Sequence, residues 1–219
     1  MKLEEMSSFF NKRVDGYEEH MMTYVDGAKE YYIETAKIIS KVEGLKLLDL
    51  GCGTGLELDE IFKVNPTIMV TGIDIAKKMT DKLLDKYKNR SNQINIINES
   101  YLEYNIGEDI YDVALSVQTL HHFTHKEKTK IFSKIFRSLK HNGIYVETDY
   151  IAPNQEYEDF HYSENVRMRN ELGIKEGYYH YDTPCTFENE KNMLYEAGFK
   201  SIEKIWQKEN TVILVAKKQ

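Results

Sequence analysis

The chain has 219 residues, a length that suits one domain and is short for two full enzyme domains. Its formal net charge of −7 disfavours a nucleic-acid-binding protein, because such proteins neutralise phosphates with clustered Lys and Arg. The 2 Cys residues are too few for a disulfide framework or a zinc cluster, so a reducing, cytoplasmic setting is expected.

No secretion signal or membrane span is predicted. The segment 1–10 lacks an apolar core, and no run of about 18 apolar residues occurs along the chain. We therefore expect one domain over residues 1–219 that does not enter a membrane, and the sequence leaves its oligomeric state open.

The first part of the chain, residues 1–43, is predicted to form an N-terminal helical cap. Between Tyr17 and Val42, apolar residues recur at steps of three and four, which is the spacing of one helical face. Gly27 interrupts this pattern and is the expected position of a break.

Strands and helices then alternate along the chain, which predicts a parallel sheet with crossover helices. The predicted strands are 45–50, 68–74, 94–97, 111–117, 144–148, 202–206 and 211–216, and the predicted helices include 56–64, 76–88 and 187–197. Thr124 and Glu127 have capping-box spacing at the start of another helix, which should stop at Lys140 to Gly143 with a left-handed Gly143. The fold class is therefore α/β: a doubly wound, Rossmann-like, mostly parallel seven-stranded sheet with the helical cap and an insertion after the fifth strand.

That insertion, residues 151–186, is rich in Tyr, Phe and His. A long segment after a strand end in an α/β sheet is commonly a lid or a binding loop. A packed helical insertion that buries these rings is equally compatible with the sequence. We expect a lid-like segment, and the two interpretations are not exclusive.

A glycine-rich turn joins the first predicted strand of the sheet to the next helix. Its sequence is Asp49-Leu50-Gly51-Cys52-Gly53-Thr54-Gly55. Alternate glycines let the backbone approach a ligand, and the free N–H groups of the helix start favour an anionic group there. A dinucleotide-binding fingerprint would require glycine at its sixth position, which is Leu56 here.

This spacing resembles the cofactor-binding turn of the class I S-adenosylmethionine-dependent methyltransferase superfamily, and the resemblance extends from about residue 45 to 217. The segment from Ser8 to Met21 also resembles the start of many small-molecule members. The resemblance implies S-adenosyl-L-methionine as cofactor, a cover over it from Tyr17, and a contact from Asp49 to its ammonium group. The implied contacts to the methionine end come from the turn, which contributes Gly51, Cys52, Gly53 and Gly55.

The resemblance also implies residues for the rest of the cofactor. Asp74 would accept hydrogen bonds from both ribose hydroxyls, for which a carboxylate is well suited. Ile75 and Met79 would flank the adenine ring, and Tyr101 would supply a backbone N–H beside it. The acid that commonly receives the adenine amino group aligns with Ser100, preceded by Glu99, so either residue is a candidate. Ser116 and Gln118 end the fourth strand beside the expected sulfur position.

The segment Leu120-His121-His122-Phe123 resembles a stretch that faces the methyl-transfer pocket in this superfamily. His121, His122, Glu147 and Asp149 are candidate catalytic bases by location. A metal site made from His121, His122 and His125 is disfavoured, because adjacent side chains are expected to point apart and no spaced carboxylate stands out. We therefore expect no metal, and a structural or substrate-lining role for these histidines.

The sequence thus predicts an enzyme that transfers a methyl group from S-adenosyl-L-methionine to a small-molecule acceptor by in-line displacement. A tRNA- or protein-modifying methyltransferase on the same fold is the first alternative, and a non-catalytic cofactor-binding protein is the second. An NAD-linked oxidoreductase is a more distant competitor. The C-terminal part, with Tyr195-Glu196-Ala197-Gly198-Phe199, is also similar to carboxy-S-adenosylmethionine synthases, although the turn at Cys52-Gly53-Thr54 differs from theirs.

Overall fold

A computed structural model describes residues 3–219. It contains nine strands, which are β1 (Glu4–Glu5), β2 (Lys46–Leu50), β3 (Met69–Ile73), β4 (Ile94–Ile97), β5 (Tyr111–Val117), β6 (Leu139–Tyr150), β7 (Tyr179–His180), β8 (Ser201–Lys208) and β9 (Thr211–Lys217). The eight α-helices are α1 (Met6–Asn11), α2 (Val14–Tyr24), α3 (Ala28–Ile38), α4 (Leu56–Val64), α5 (Lys77–Lys86), α6 (His125–Ser138), α7 (Gln155–Glu171) and α8 (Phe187–Ala197). None of these helices is both long and apolar enough to cross a membrane.

The predicted seven-stranded sheet is confirmed. Its strand order is β4-β3-β2-β5-β6-β9-β8, with β2 to β6 parallel and both β6–β9 and β8–β9 antiparallel. The order reverses between β2 and β5, and ligands of open α/β sheets bind at such a switch point, beyond the carboxyl ends of the strands. The glycine-rich turn follows β2 at this position.

Apolar side chains cover both faces of the sheet, as expected for parallel strands between helices. One buried cluster joins α3 and α4 to the sheet through residues such as Tyr31 and Ile61. The other joins α6 and α8 to the opposite face through residues such as Phe132 and Leu194. These layers hold the strand ends, and therefore the binding site, in fixed positions.

The N-terminal cap consists of α1, α2 and α3. Gly27 adopts φ 75° between α2 and α3, so the predicted break lies where the periodicity is interrupted. A buried hydrogen bond of 2.6 Å between the hydroxyls of Thr35 and Thr148 ties α3 to β6. The cap is thereby attached to the centre of the sheet.

The insertion after β6 is a helix followed by an extended segment. Asn154 caps α7 by accepting a hydrogen bond from the backbone N–H of Tyr157. Beyond α7, β7 pairs antiparallel with β1, with Glu4 opposite His180. The insertion therefore packs as a helix and also holds the N-terminal segment in place.

One local prediction was wrong. Helix α6 ends at Ser138, and β6 begins at Leu139 instead of Ile144. The left-handed residue is Asn142, with φ 62°, and not Gly143. Position 143 must be glycine for a steric reason, because a Cβ there would lie 2.8 Å from the carbonyl oxygen of Lys140. The predicted capping box at Thr124 and Glu127 is confirmed, with both of its hydrogen bonds present.

Candidate cofactor and acceptor site

A narrow cleft of about 60 Å³ lies at the switch point of the sheet. Its walls come from the ends of β2, β3 and β5, and its cover comes from α1, α2 and the insertion. The lining residues are Met6, Phe10, Tyr17, Gly51, Gly53, Asp74, Ile75, Met79, Ser100, Tyr101, Val117, Gln118, Thr119, His122, Phe123 and Tyr178. Many of the residues proposed from the sequence thus meet in one place.

Two glycines of the turn face the cleft for different reasons. A Cβ on Gly51 would lie 2.3 Å from Oγ1 of Thr119, so this position must be glycine for packing. A Cβ on Gly53 would meet only the carbonyl oxygen of Gly51, at 3.9 Å, and would otherwise project into open space. Gly53 therefore leaves room for a ligand against the backbone.

The other two predicted turn residues do not line the cleft. Cys52 is buried in the core, and a Cβ on Gly72 would lie 2.7 Å from its Sγ. Gly55 precedes α4 with φ 72° and packs against Leu83 and Tyr87. These residues shape the turn from behind.

Asp49 lies beneath the turn and is 1% exposed. Its Oδ2 atom has no hydrogen-bond partner, and neither does Oε1 of neighbouring Glu57. Burial raises the pKa of both carboxyls, and for Asp49 the value is about 7. A buried carboxylate oxygen without a donor fits a bound ammonium group, which would supply the missing hydrogen bond and charge.

Asp74, at the end of β3, connects two elements of the cleft. Its Oδ2 accepts from the backbone N–H of Gly53 at 2.9 Å, and its Oδ1 accepts from the N–H of Ala76 at 2.7 Å. Ala76 cannot cap α5 with its own side chain, and the backbone N–H of Lys78 in the first turn donates instead to Oδ1 of Asn11 at 2.8 Å. Each carboxylate oxygen keeps a further lone pair, which suits a vicinal pair of hydroxyls.

The far end of the cleft is apolar on one side and polar on the other. Ile75 and Met79 line it together with Ser100 and Tyr101. The Tyr101 hydroxyl lies 3.0 Å from Oγ1 of Thr119. Glu99 is exposed and lies outside the lining, so Ser100 is the member of this pair that faces the cleft.

Gln118 follows β5 with a φ of 51°, an uncommon conformation for a residue with a side chain. Its buried Nε2 atom has no hydrogen-bond partner. Strained backbone and an unpartnered donor together indicate a ligand-binding position. Ser116 points elsewhere, because its hydroxyl is 2.6 Å from the hydroxyl of Tyr145 inside the core.

The cover of the cleft was only partly predicted. Tyr17 lines the cleft as expected, but Met6, Phe10 and Tyr178 were not proposed. Their position depends on the pairing of β1 with β7, which joins residues 4–5 to residues 179–180. The aromatic density of residues 151–186 was the available signal for Tyr178.

A larger cavity of about 690 Å³ adjoins the cleft. The two spaces share Phe10, Tyr17, Gln118 and His122. The polar and charged residues around the larger cavity are Lys12, Arg13, His20, Gln118, His121, His122, His180 and Asp182. Lys12 and Arg13 both pair with Glu4 through contacts of 3.1 and 2.9 Å.

His121 and His122 lie side by side on the wall of this cavity, with ring centroids 4.0 Å apart. The expectation that adjacent histidines point apart was therefore wrong, because both rings line the same cavity from the short helical turn at Leu120–His122. His125 lies elsewhere and pairs with Glu158 at 2.7 Å. Two carboxylates lie near the pair: Asp149 from β6 and Asp182 from the insertion.

Asp149 orients His121. Its Oδ1 lies 2.5 Å from Nδ1 of His121, and it also accepts from the backbone N–H groups of Leu120, His121 and Tyr150. Burial alone would raise the pKa of Asp149, but the charge and hydrogen bond of His121 outweigh it and the pKa is lowered. Burial would likewise lower the pKa of His121, and the Asp149 carboxylate reverses that effect.

His122 and His180 behave differently from His121. Burial and the neighbouring His121 lower the pKa of His122, and burial with His122 lowers that of His180 to about 4. Burial would raise the pKa of Asp182, but the histidines around it hold the pKa well below its usual range.

Glu147 does not reach either cavity. Burial raises its pKa well above the usual range, and both of its carboxyl oxygens lack hydrogen-bond partners. It lies beside the buried pair of Lys128 and Glu190, whose Nζ and Oε2 atoms are 2.8 Å apart. Its location excludes the role of acceptor base that was proposed from the sequence.

Comparison with known proteins agrees with this geometry. Residues 47–143 match the family model of the methyltransferase domain. A carboxy-S-adenosyl-L-methionine synthase of Nautilia profundicola is 28% identical over 97% of this chain and 92% of its own length.

Solved structures share the fold. A protein of Nostoc punctiforme assigned as an O-methyltransferase has a TM-score of 0.72 at 21% identity, and this chain spans 63% of its length. A phosphoethanolamine N-methyltransferase of Haemonchus contortus, in complex with S-adenosyl-L-methionine, has a TM-score of 0.70 at 16% identity over 95% of this chain and 57% of its own.

The fold, the glycine turn and the two strand-end acids define an S-adenosylmethionine-binding α/β enzyme. The match to the methyltransferase domain, the similarity to a carboxy-S-adenosyl-L-methionine synthase and the shared fold support a class I S-adenosylmethionine-dependent enzyme with S-adenosyl-L-methionine as its cofactor.

Proposed function

We propose that this enzyme transfers a methyl group to a small molecule bound in the larger cavity. The observation that carries the proposal is the shared wall: Gln118 and His122 line both the cofactor cleft and the larger cavity. A molecule in that cavity lies beside whatever occupies the strand-end region of the cleft. The resemblance to the superfamily assigns that region to the sulfur of the cofactor.

In this proposal, different residues of the cleft bind different groups of the cofactor. Asp49 meets the ammonium group, Asp74 the ribose hydroxyls, and Ser100 with Tyr101 the adenine edge. Small-molecule sites usually measure roughly 300–1,000 Å³, and the cleft is about 60 Å³. The cover formed by Met6, Phe10 and Tyr178 must therefore move outward when the cofactor binds.

Methyl transfer needs alignment more than acid–base power. The bound cofactor supplies an activated methyl group on a sulfonium. The enzyme orients the acceptor in line with that methyl and excludes water, and such positioning can supply about 7–11 kcal/mol. Phe10 and Tyr17 line both spaces beside Gln118 and His122 and contribute apolar surface there. His121, His122 and Asp182 provide the polar contacts for an acceptor hydroxyl or amine.

Cavity size and charge support a small acceptor. About 690 Å³ lies within the range of small-molecule pockets. The chain carries a net charge of −7, and the two cations at the cavity, Lys12 and Arg13, are paired with Glu4. A polyanionic nucleic acid would need unpaired cations around the opening.

A second candidate is synthesis of a carboxylated cofactor, favoured by the similarity to the Nautilia profundicola synthase over nearly the whole chain. An added carboxylate needs a cationic partner when it is buried. Among the described residues, the cleft lining contains no Lys or Arg, and the two cations of the adjoining cavity, Lys12 and Arg13, are already paired with Glu4. The lack of an unpaired cation among these lining residues favours methyl transfer.

Release of S-adenosylhomocysteine tests the proposal, with a panel of hydroxyl, amine, thiol and carboxylate acceptors. Methyl transfer predicts acceptor-dependent release by the native enzyme. Cofactor binding without release for any acceptor class would indicate a binding protein, and a carboxylated cofactor detected by mass spectrometry would indicate the synthase.

A further inference from the structure

We propose that His121, His122 and Asp182 form a binding site for a divalent transition-metal ion on the wall of the acceptor cavity. The role given to the ion rests on the proposed methyl transfer, but the site itself rests on geometry alone. Each residue offers one ligand atom, and these atoms all lie within 4.8 Å of one another.

The individual distances fit one ion. Oδ1 of Asp182 is 3.2 Å from Nδ1 of His122 and 3.8 Å from Nε2 of His121. Metal bonds to imidazole nitrogen and carboxylate oxygen are about 2.0–2.2 Å long, so two ligands of one ion stand roughly 3–4 Å apart. The two histidine nitrogens lie within 4.8 Å of each other and would approach each other when an ion binds.

The hydrogen bond between His121 and Asp149 orients His121 for metal binding. Because Asp149 already accepts from three backbone N–H groups and carries a negative charge, Nδ1 of His121 donates to it. In neutral His121 this leaves the lone pair of Nε2 directed toward Asp182. A carboxylate that holds the outer nitrogen of a histidine is the usual support of a metal ligand.

His122 provides an independent observation. The His122 side chain is 5% exposed, and its Nδ1 atom lies 3.2 Å from Oδ1 of Asp182 without the geometry of a hydrogen bond. A buried nitrogen without a partner is costly unless a ligand satisfies it. The 3.8 Å separation of His121 and Asp182 is also too long for a hydrogen bond, so no proton bridges that pair in this arrangement.

Two imidazoles and one carboxylate suit zinc, iron, nickel or cobalt better than magnesium or calcium. Three protein ligands leave coordination positions open toward the cavity, as in catalytic metal sites. An acceptor oxygen bound there would lose its hydroxyl proton to solvent more readily. Its lone pair would form the new carbon–oxygen bond while the carbon–sulfur bond breaks and its electron pair returns to sulfur. The acceptor class is therefore a hydroxyl or enol compound.

Cobalt titration tests the site. Tag-free protein is treated with a chelator, and Co²⁺ binding is followed by visible absorption while cofactor binding is followed separately by calorimetry. We expect one equivalent of Co²⁺ per chain, displaced by Zn²⁺. Asp182→Asn and His122→Asn should each weaken Co²⁺ binding at least tenfold, and the exposed His141→Gln should not.

Asp149→Asn distinguishes a prepared site from a chance cluster. Loss of a supporting carboxylate should weaken Co²⁺ binding about 10- to 100-fold, although Asp149 contributes no ligand atom. Thermal melts of the variants show whether they fold. No Co²⁺ binding by folded protein that binds the cofactor, or equal binding by the Asp182 and His141 variants, would overturn the metal site and leave the proposed methyl transfer standing.

Discussion

The backbone N–H of Gly53 donates to Oδ2 of Asp74 over 2.9 Å, so the glycine turn after β2 is tied to the acid at the end of β3. The other oxygen of Asp74 accepts from Ala76 at the start of α5. One carboxylate therefore fixes the turn, holds the residue that precedes α5 and faces the cofactor cleft. This arrangement forms the cradle before the cofactor arrives.

Replacing Asp74 should affect cofactor binding more than folding. Asp74→Asn loses the charge and places an amide donor against a backbone N–H, which costs about 1–3 kcal/mol of stability. Loss of charge-assisted hydrogen bonds to the ribose should weaken cofactor binding about 10- to 100-fold, as measured by calorimetry. Asp81→Asn, on the exposed side of α5, is the matched control. Equal affinity of the two variants would contradict the assigned role of Asp74.

The two cleft-facing glycines should respond differently to replacement by alanine. Gly53→Ala costs about 1–2 kcal/mol for its left-handed backbone, but the added methyl enters open space, so the protein folds and binds the cofactor weakly. Gly51→Ala bears the same strain plus a clash with Thr119, about 1–3 kcal/mol more. Urea unfolding and cofactor titration separate these effects. Equal stability of both variants would refute the packing role of Gly51.

We expect the titration of Asp49 to give opposite pH dependences for the stability of the protein and for its affinity for the cofactor. Its ordinary pKa of 3.8 rises to about 7 in the folded protein, so the folded form holds a proton that the unfolded chain releases. This contribution to stability is complete below pH 3.8 and is lost as the pH rises through 7. The ammonium of the cofactor needs the ionised carboxylate, so affinity should increase about tenfold or more from pH 5.5 to 7.5.

Calorimetry across this pH range measures the binding effect, and thermal melts without cofactor measure the stability effect. Asp49→Asn removes the titrating group, so both dependences should become flatter. Persistence of the full binding dependence in this variant would assign it to another group.

The buried pair of Lys128 and Glu190 should dominate the stability of the α6–α8 packing. Lys128→Met leaves Glu190 buried without a cation, which costs about 3–5 kcal/mol. The double variant with Glu190→Met removes both charges and should be more stable than the single variant. Lys130→Met, exposed on the same helix, should change unfolding by less than about 0.5 kcal/mol in denaturant titrations.

Local patterns were sufficient to predict most of the sheet. Buried runs such as Tyr111 to Val117 and the break at Gly27 follow from periodicity and backbone chemistry within a few residues. The start of β6 was missed because Asn142, and not Gly143, takes the left-handed conformation. Sequence alone does not reveal that Gly143 is confined by the carbonyl of Lys140.

The site was predictable where it follows strand ends. Asp74, Gly53 and Gln118 lie at such ends and line the cleft. Ser116 also lies near the end of β5, but its side chain points into the core. The cover and the histidine cluster depend on the insertion, since Tyr178 and Asp182 reach the site only after β7 pairs with β1. Contacts of such long sequence separation leave no periodic signal.

The destination of the methyl group tests the central proposal most directly. The enzyme is incubated with S-adenosylmethionine labelled in its methyl group and, separately, with a metabolite extract, total RNA and total protein. The proposed function predicts label in a small molecule from the metabolite extract, with an equal amount of S-adenosylhomocysteine. Label in RNA or protein, with none in the metabolites, would contradict it.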